Sequence, residues 1–324
     1  MSKGIDLSVV IVSWNVKALL EKCLRSLLES PGWQLVPPDR EPSGEDMRSL
    51  EVWVVDSASS DCSTEMVRSQ FPGVGRIENS ENIGFTRGNN QGIARCRGRA
   101  LMLLNPDTEV LGDALATMGD YLAAHPDVGV VGPRIATPDG GVQPSRRRFP
   151  TYGTAFVEST CLQQWFPRHP ALARYYVWDS PDNREQDVDW LEGACLVARS
   201  EVVKQVGGLD ERFFMYSEEL DWCQRIKSAG WCVVYLPQAQ ILHYGGKSSD
   251  QVVAAKHIRF QRSKIAYYTK YFGRFRGGLL RSFLLATYAW MWAVEGLKWL
   301  AGHRRPLRAE RLAAYSQVLR SGLR

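Results

Sequence analysis

Four polar clusters carry the side chains on which chemistry can be built: Ser13-Trp14-Asn15, Asp56–Asp61, Asn82–Asn90 and Asn105-Pro106-Asp107. A fifth, Ser217-Glu218-Glu219-Leu220-Asp221, places three carboxylates within four residues, and His243 follows an apolar Ile-Leu. Any one of the four Asn/Asp clusters alone reads as a turn or a helix cap. All four at successive strand ends point to a shared site, because ligands of open α/β sheets bind outside the carboxyl ends of the strands. In the acidic cluster Ser217 suits a helix N-cap and the acids complement the helix dipole. Glu218 and Asp221, three apart, share a helix face, and Asp221 is also placed to pair with Arg225. Crowded carboxylates raise one another's proton affinity, which suits a general base. No G-x-G-x-x-G, G-x-x-x-x-G-K-[ST] or G-x-S-x-G occurs, so dinucleotide folds, P-loops and hydrolase elbows are disfavoured. What remains for a nucleotide is recognition by carboxylates and a metal ion.

The elements that must position these groups alternate. Leu7–Ser13 is a nearly continuous apolar run, the pattern of a strand buried on both faces. Asn15 reads as the cap of the helix that follows, and residues 31–49, rich in Pro, Gly and Ser, as a surface loop. Strands are expected at Glu51–Asp56, Gly75–Glu78 and Ala100–Leu104, with helices near Thr64–Gln70 and from Asn90 toward Arg95. The regularity weakens after Pro133. Gly140-Gly141 reads as a turn, Trp190–Arg199 as one strand, Ser217–Ala229 as a helix, and Cys232–Leu236 and Ile241–His243 as two closing strands. This is the signal of an α/β, mostly parallel sheet with flanking helices.

The chain has 324 residues, 44% hydrophobic and 23% charged, which excludes disordered, collagenous and coiled-coil classes. Seven cysteines without a C-x-x-C pair argue against a zinc ribbon or disulfide scaffold and for a reducing cytoplasm. No signal peptide is read before the first strand. The net charge of +5 is unevenly spread. Between Lys256 and Arg324 fifteen Lys/Arg face only Glu295 and Glu310, a segment charge of +13 that leaves −8 for residues 1–255. The tail is helical in pattern. Its uncharged stretch, Ser282–Val294, covers thirteen residues, short of the roughly 20 that span a bilayer. Its Trp and Tyr with flanking cations fit an interfacial helix on an anionic membrane; packing on the catalytic domain or in a homodimer is the other placement. No nucleic-acid motif accompanies the charge.

Seven stretches in order resemble the GT-A fold of the family 2 inverting glycosyltransferases: VVIVSWN (Val9–Asn15), VVDSASSD (Val54–Asp61), NIGFTRGNNQG (Asn82–Gly92), LLNPDT (Leu103–Thr108), WLEGACLVA (Trp190–Ala198), GGLDERFFMYSEELDWCQRIKSAG (Gly207–Gly230) and ILHYGGKS (Ile241–Ser248). The resemblance covers roughly residues 7–272. The set is most similar to bacterial dTDP-rhamnose-dependent rhamnosyltransferases, as is QPSRRRFPT (Gln143–Thr151).

The resemblance implies roles. Asp56 would accept from a pyrimidine N–H, with Ser13 beside it and Trp14 either against the ring face or in the core. Asn82, Asn89 and Asn90 would line ribose and phosphates, or else form left-handed turns. Asn105-Pro106-Asp107 stands at the D-x-D position, giving Asp107 to Mg²⁺ or Mn²⁺ and the neutral Asn105 to sugar or ribose. His243 would be the second metal ligand, and its imidazole favours Mn²⁺. Glu219 takes the place of the base, where the family has Asp, with Glu218 and Asp221 beside it. Apart from the resemblance, Trp190 offers an aromatic face to the acceptor or else packs in the core, and Arg148, in the run Arg146–Arg148, would face a pyrophosphate on the acceptor or else lie on a solvated patch. The expected division is a catalytic domain over 1–255, with halves at about 1–132 and 133–255, and a basic helical segment over 256–324. The implied protein is a metal-dependent, inverting transferase of L-rhamnose from dTDP-L-rhamnose to a glycan or lipid-linked acceptor, cytoplasmic and peripheral on the inner face of the cell membrane. Competing readings are a UDP-hexose donor and a non-catalytic nucleotide-sugar-binding or membrane scaffold protein. A sugar-phosphate nucleotidyltransferase is disfavoured, since Ser13–Lys17 is no glycine-rich basic loop.

Overall fold

The computed structural model describes residues 4–42, 46–245 and 253–324, so the end of the Ile241–Ser248 stretch lies outside the described residues. In chain order the elements are β1 (Leu7–Ser13), α1 (Lys17–Leu28), β2 (Trp33–Leu35), β3 (Arg48–Asp56), α2 (Ser63–Gln70), β4 (Gly75–Glu78), α3 (Phe85–Ile93), β5 (Ala100–Leu104), β6 (Thr108–Leu111), α4 (Ala114–Ala124), β7 (Val128–Ala136), β8 (Val142–Gln143) and β9 (Arg146–Arg147). Then come α5 (Thr154–Val157), α6 (Cys161–Trp165), α7 (Pro170–Tyr175), β10 (Gln186–Asp187), β11 (Trp190–Leu191), β12 (Cys195–Arg199), α8 (Ser200–Val206), α9 (Glu218–Ser228), β13 (Cys232–His243), α10 (Val253–Phe272), α11 (Arg274–Leu300) and α12 (Arg305–Ser321). The chain divides into two compact units. One comprises Met1–Arg148, Ser180–Glu211 and Glu218–Ser248; the other comprises Phe149–Asp179, Arg212–Ser217 and Ser249–Arg324.

The first unit is built on a mixed sheet of order β10-β13-β7-β12-β5-β1-β3-β2, with β4 beside β3, β6 on β13 and β8 on β7. The strands β5, β1, β3, β4 and β2 run parallel, as does β13 on β7. β12 is antiparallel to both of its neighbours, β5 and β7. Every residue of β1 is buried, as its unbroken apolar run requires. Helix α3 lies close on β1: a Cβ on Gly92 would fall 2.3 Å from a Val10 methyl, so only glycine allows this approach. All seven cysteines are free thiols.

Several local expectations are corrected. Asn15 does not cap α1. It takes a left-handed φ of 51°, and its side-chain oxygen accepts from the Ser60 N–H at 2.7 Å. Asn tolerates that conformation better than most residues. The Lys17 N–H at the start of α1 is taken instead by Asp61, at 2.7 Å. The 31–49 loop contains β2, which pairs with β3 through the buried Trp33. The Trp190–Arg199 segment is two strands, β11 and β12, broken at Glu192–Ala194. The two closing strands are one, β13, carried past Pro237 by a register shift between Leu236 and Gln240. The helix α4, the strand β7 and the short helices α5 to α7 were not expected from the sequence.

In the second unit, buried Lys264 pairs with Glu158 at 2.9 Å, and Arg308 with Glu295 at 2.7 Å. Tyr268 and Phe272 stack at 5.2 Å. On α11, Phe275, Leu279, Trp290, Leu297 and Leu300 are exposed at spacings that keep them on one side of the helix. Among the described residues, no helix is long and apolar enough to cross a membrane.

Candidate functional site

The strand ends of the first unit bring the polar clusters to one edge of the sheet. In register, Ser13 at the end of β1 lies opposite Asp56 at the end of β3. Asp56 is buried; its Oδ2 accepts from the Ser59 N–H at 2.8 Å, and its Oδ1 is buried without a partner. A buried carboxylate oxygen without a donor costs free energy until one arrives. Ser13 Oγ is likewise buried and unpartnered, while Trp14 is half-buried and lies outside the core.

Asn105 follows β5. Its backbone is pinned by Ala194 O and by the Thr108 hydroxyl, and its side-chain oxygen is buried without a partner. The antiparallel pairing of β6 with β13 sets His243 opposite Thr108, and Tyr244 N–H donates to Asp107 O at 2.9 Å. That register delivers His243 Nε2 to 3.2 Å from Asp107 Oδ1, with both residues buried. His243 Nδ1 lies 2.8 Å from the Gln143 side-chain oxygen. With Nδ1 carrying the proton, Nε2 presents a lone pair beside a carboxylate oxygen, the posture of a metal-ligating imidazole. Two adjacent ligands at about 2.1 Å from an octahedral cation lie about 3 Å apart, so this pair fits a divalent ion. Among the described residues no third His, Cys, Asp or Glu completes a set. Such a partial set suits Mg²⁺ or Mn²⁺ whose remaining ligands are substrate phosphates.

Helix α9 opens with the acidic cluster. Glu218 is buried with Oε2 unpartnered; burial and the neighbouring Glu219 push its carboxyl well above the usual range. Glu219 is partly exposed, but its Oε2 is buried and unpartnered. Burial, opposed by backbone N–H donors including that of Gly193 and reinforced by the charge of Glu192, pushes it up to about 7. A carboxyl that titrates near neutrality is matched to proton abstraction. Asp221 is wholly buried and pairs with Arg225 at 2.9 Å, and the same guanidinium binds Val206 O and Gly208 O. Asp221 therefore anchors the 206–208 loop against α9.

The other candidate residues make contacts within the fold. Asn89 donates to Phe85 O at 2.9 Å, and Asn90 exchanges hydrogen bonds with Leu209 and donates to Glu211. Asn82 accepts from the Gly84 N–H at 3.1 Å. Trp190 is buried and donates its indole N–H to Arg148 O at 3.1 Å, while Arg148 is half-buried. Its neighbours in the arginine run are not a solvated patch. Arg146 binds Ser180 O, Pro181 O and Gln186, and Arg147 binds Glu192 at 2.5 Å. Sequence reasoning did not single out Glu192 or assign Gln143 a role. Both stand inside quoted motifs, but their meeting depends on the β8 hairpin and the β9–β11 pairing.

The family model for glycosyl transferase family 2 matches residues 8–183. An N-acetylglucosaminyl-diphospho-decaprenol L-rhamnosyltransferase of Mycobacterium tuberculosis is 31% identical over 215 residues, covering 63% of this chain and 69% of its own. The mannosyltransferase PcManGT of Pyrobaculum calidifontis, solved with GDP-Man and Mn²⁺, aligns over 97% of this chain and 86% of its own, with a TM-score of 0.51 at 17% identity. GalNAc-T7, solved with UDP, GalNAc and Mn²⁺, aligns over 82% of this chain and 48% of its own, with a TM-score of 0.54 at 13% identity. At these identities the two structures establish the fold, which is GT-A.

Proposed function

As the chain belongs to glycosyl transferase family 2 and is a glycosyltransferase related to rhamnosyltransferases, we propose that it moves L-rhamnose from dTDP-L-rhamnose to a lipid-linked saccharide, with inversion and with the help of a divalent cation. The observation that carries this reading is the buried His243–Asp107 pair with its Nε2 turned toward the carboxylate. The name of the rhamnosyltransferase relative supports the sugar, L-rhamnose, and the acceptor class, a decaprenyl-diphosphate-linked N-acetylglucosamine; the dTDP carrier rests on the sequence resemblance.

In this mechanism Asp56 Oδ1 accepts the imide N–H of the thymine, a donor its burial otherwise denies it. Ser13 and Asn105 add polar atoms at neighbouring strand ends. Asp107 and His243 would hold the cation, which when bound neutralises the charge developing on the leaving diphosphate. Glu219 takes the proton from the acceptor hydroxyl as that oxygen bonds to the anomeric carbon. The bond from that carbon to the diphosphate oxygen breaks on the opposite face, and dTDP departs with the electron pair. Gly193 packs against the Glu219 side chain, where an added Cβ would fall 3.5 Å from Glu219 Cβ.

Calorimetric titration of dTDP, UDP and GDP with and without Mn²⁺ tests the donor. Manganese-dependent preference for dTDP supports the reading; preference for UDP or GDP keeps the fold and replaces the donor. Binding of none of the three removes the catalytic reading. Asp56→Ala is expected to weaken dTDP binding by about 10- to 100-fold, the value of one hydrogen bond to a charged group. Equal affinity in the variant would place the base elsewhere.

The basic second unit has a place in this reading. The exposed Phe275, Leu279, Trp290, Leu297 and Leu300 on α11 are accompanied by exposed Arg274, Arg276, Lys298, Arg304 and Arg305. Aromatic and apolar residues among cations suit a helix lying in an anionic lipid surface, where a lipid-linked acceptor resides. Replacing Phe275, Trp290 and Leu297 by Ser together is expected to reduce cosedimentation with phosphatidylglycerol vesicles at least about tenfold. Unchanged cosedimentation would return this face to protein contacts.

A further inference from the structure

The His243 imidazole is held from behind by a chain of polar side chains that no role assigned above requires. Buried Arg147 donates to Glu192 Oε1 at 2.5 Å. Glu192 Oε2 accepts from the Gln143 amide nitrogen, also at 2.5 Å. Gln143 Oε1 then lies 2.8 Å from His243 Nδ1. The order of donors is forced along this chain. A carboxylate salt-bridged to arginine only accepts, so the Gln143 NH₂ must face Glu192 and its carbonyl must face the imidazole. A carbonyl also only accepts, so Nδ1 must carry a proton. In the neutral imidazole Nε2 is then the lone-pair nitrogen, and it is the one facing Asp107 at 3.2 Å.

Three separate pieces of backbone converge to build this. Gln143 closes the β7–β8 hairpin opposite Ile135, Arg147 lies opposite Trp190 in the β9–β11 pair, and Glu192 N–H donates to Ser145 O at 2.8 Å. The Arg147 guanidinium sits 5.8 Å from the Trp190 ring centre. Burying an arginine is costly unless it is paired, and Arg147 is paired with the half-buried Glu192. The output of the chain is the orientation of a single imidazole.

We propose that Gln143 is the positioning residue of the cation site: held by the Arg147–Glu192 pair, it fixes His243 as the Nδ1–H tautomer and aims Nε2 at the ion. This rests on the reading of His243 and Asp107 as metal ligands. Outer partners of metal-bound histidines typically contribute 10- to 100-fold in metal affinity.

The test is Mn²⁺ titration, followed by electron paramagnetic resonance, of the full chain saturated with dTDP. Gln143→Leu is expected to bind Mn²⁺ about 10- to 100-fold more weakly than the wild type. In a His243→Ala background the same substitution is expected to change nothing further, since no imidazole remains to be aimed. The exchanged pair Gln143→Glu with Glu192→Gln restores every donor and acceptor in the chain and is expected to stay within about threefold of the wild type. Wild-type affinity in Gln143→Leu, or losses that multiply in the His243→Ala background, would overturn the proposal. So would a tenfold or larger loss in the exchanged pair, a readout that stands even if Gln143→Leu folds poorly. Absence of Mn²⁺ binding in the wild type would refute the metal reading together with the inference. Normal wild-type binding with an indifferent Gln143 would refute the inference alone.

Discussion

In Glu219→Gln, transfer in a single turnover is expected to fall by about 10²- to 10⁴-fold, the usual contribution of a positioned proton acceptor, while affinity for dTDP stays at the wild-type value. The substitution keeps the shape of the side chain. It removes only the capacity to take a proton. Glu218 is the neighbouring alternative, but it is the more buried of the two, and an acceptor hydroxyl must be able to reach the base. If Glu219→Gln turns over normally and Glu218→Gln does not, the assignment passes to Glu218.

The same residue predicts a pH dependence. A base must be ionised to act, and burial with the nearby Glu192 charge holds Glu219 at about 7. The rate should therefore rise with pH through about 7 and level off above it. Stability should run the other way. The folded state binds the Glu219 proton more tightly than the unfolded chain, whose carboxyl titrates near the ordinary value of 4.5. Its contribution to stability is therefore fully present below about pH 4.5 and is lost as pH rises through about 7. Glu219→Gln should accordingly melt above the wild type at pH 8 and show no such advantage at pH 4. A rate profile flat between pH 5.5 and 8.5 would contradict the assignment.

What was legible in the sequence follows from how local each signal is. The strand Leu7–Ser13 announces itself because burial on both faces leaves an unbroken apolar run. Ala100–Leu104 does so for the same reason, and α9 because a polar start and Gly230 bracket it. The strand β7 did not, since Gly132 and Pro133 lie inside it. The structure carries it through because its parallel partner β13 shifts register between Leu236 and Gln240. Helix α4 was hidden by its composition: ALATMGDYLAA has small residues on most sides and little contrast between faces. The candidate residues Ser13, Asp56 and Asp107 were legible as strand-end residues, which the topology gathers at one edge of the sheet. The Arg147–Glu192–Gln143 chain was not, because its members meet only across a hairpin and a two-stranded pair that local pattern does not disclose.

The second large effect concerns the cation. Asp107→Ala and His243→Ala are each expected to abolish the enhancement of dTDP affinity by Mn²⁺, leaving the metal-free affinity intact. Transfer should fall with it by at least about 10³-fold, since stabilisation of developing charge is usually the largest single catalytic contribution. Among the described residues these two contribute the protein ligand atoms that the geometry pairs, at 3.2 Å, and the diphosphate would supply the rest. Loss of either should therefore be as damaging to Mn²⁺ binding as loss of both. The double variant decides this: binding no weaker than in the single variants fits a shared ion, whereas losses that multiply indicate two independent roles. Asp107→Asn adds a sharper comparison. It keeps the oxygen but not the charge, so partial recovery at millimolar Mn²⁺ is expected from the asparagine and none from the alanine. If dTDP binds all four variants with an undiminished response to Mn²⁺, the ion is held elsewhere and the His243–Asp107 pair is an ordinary buried ion pair.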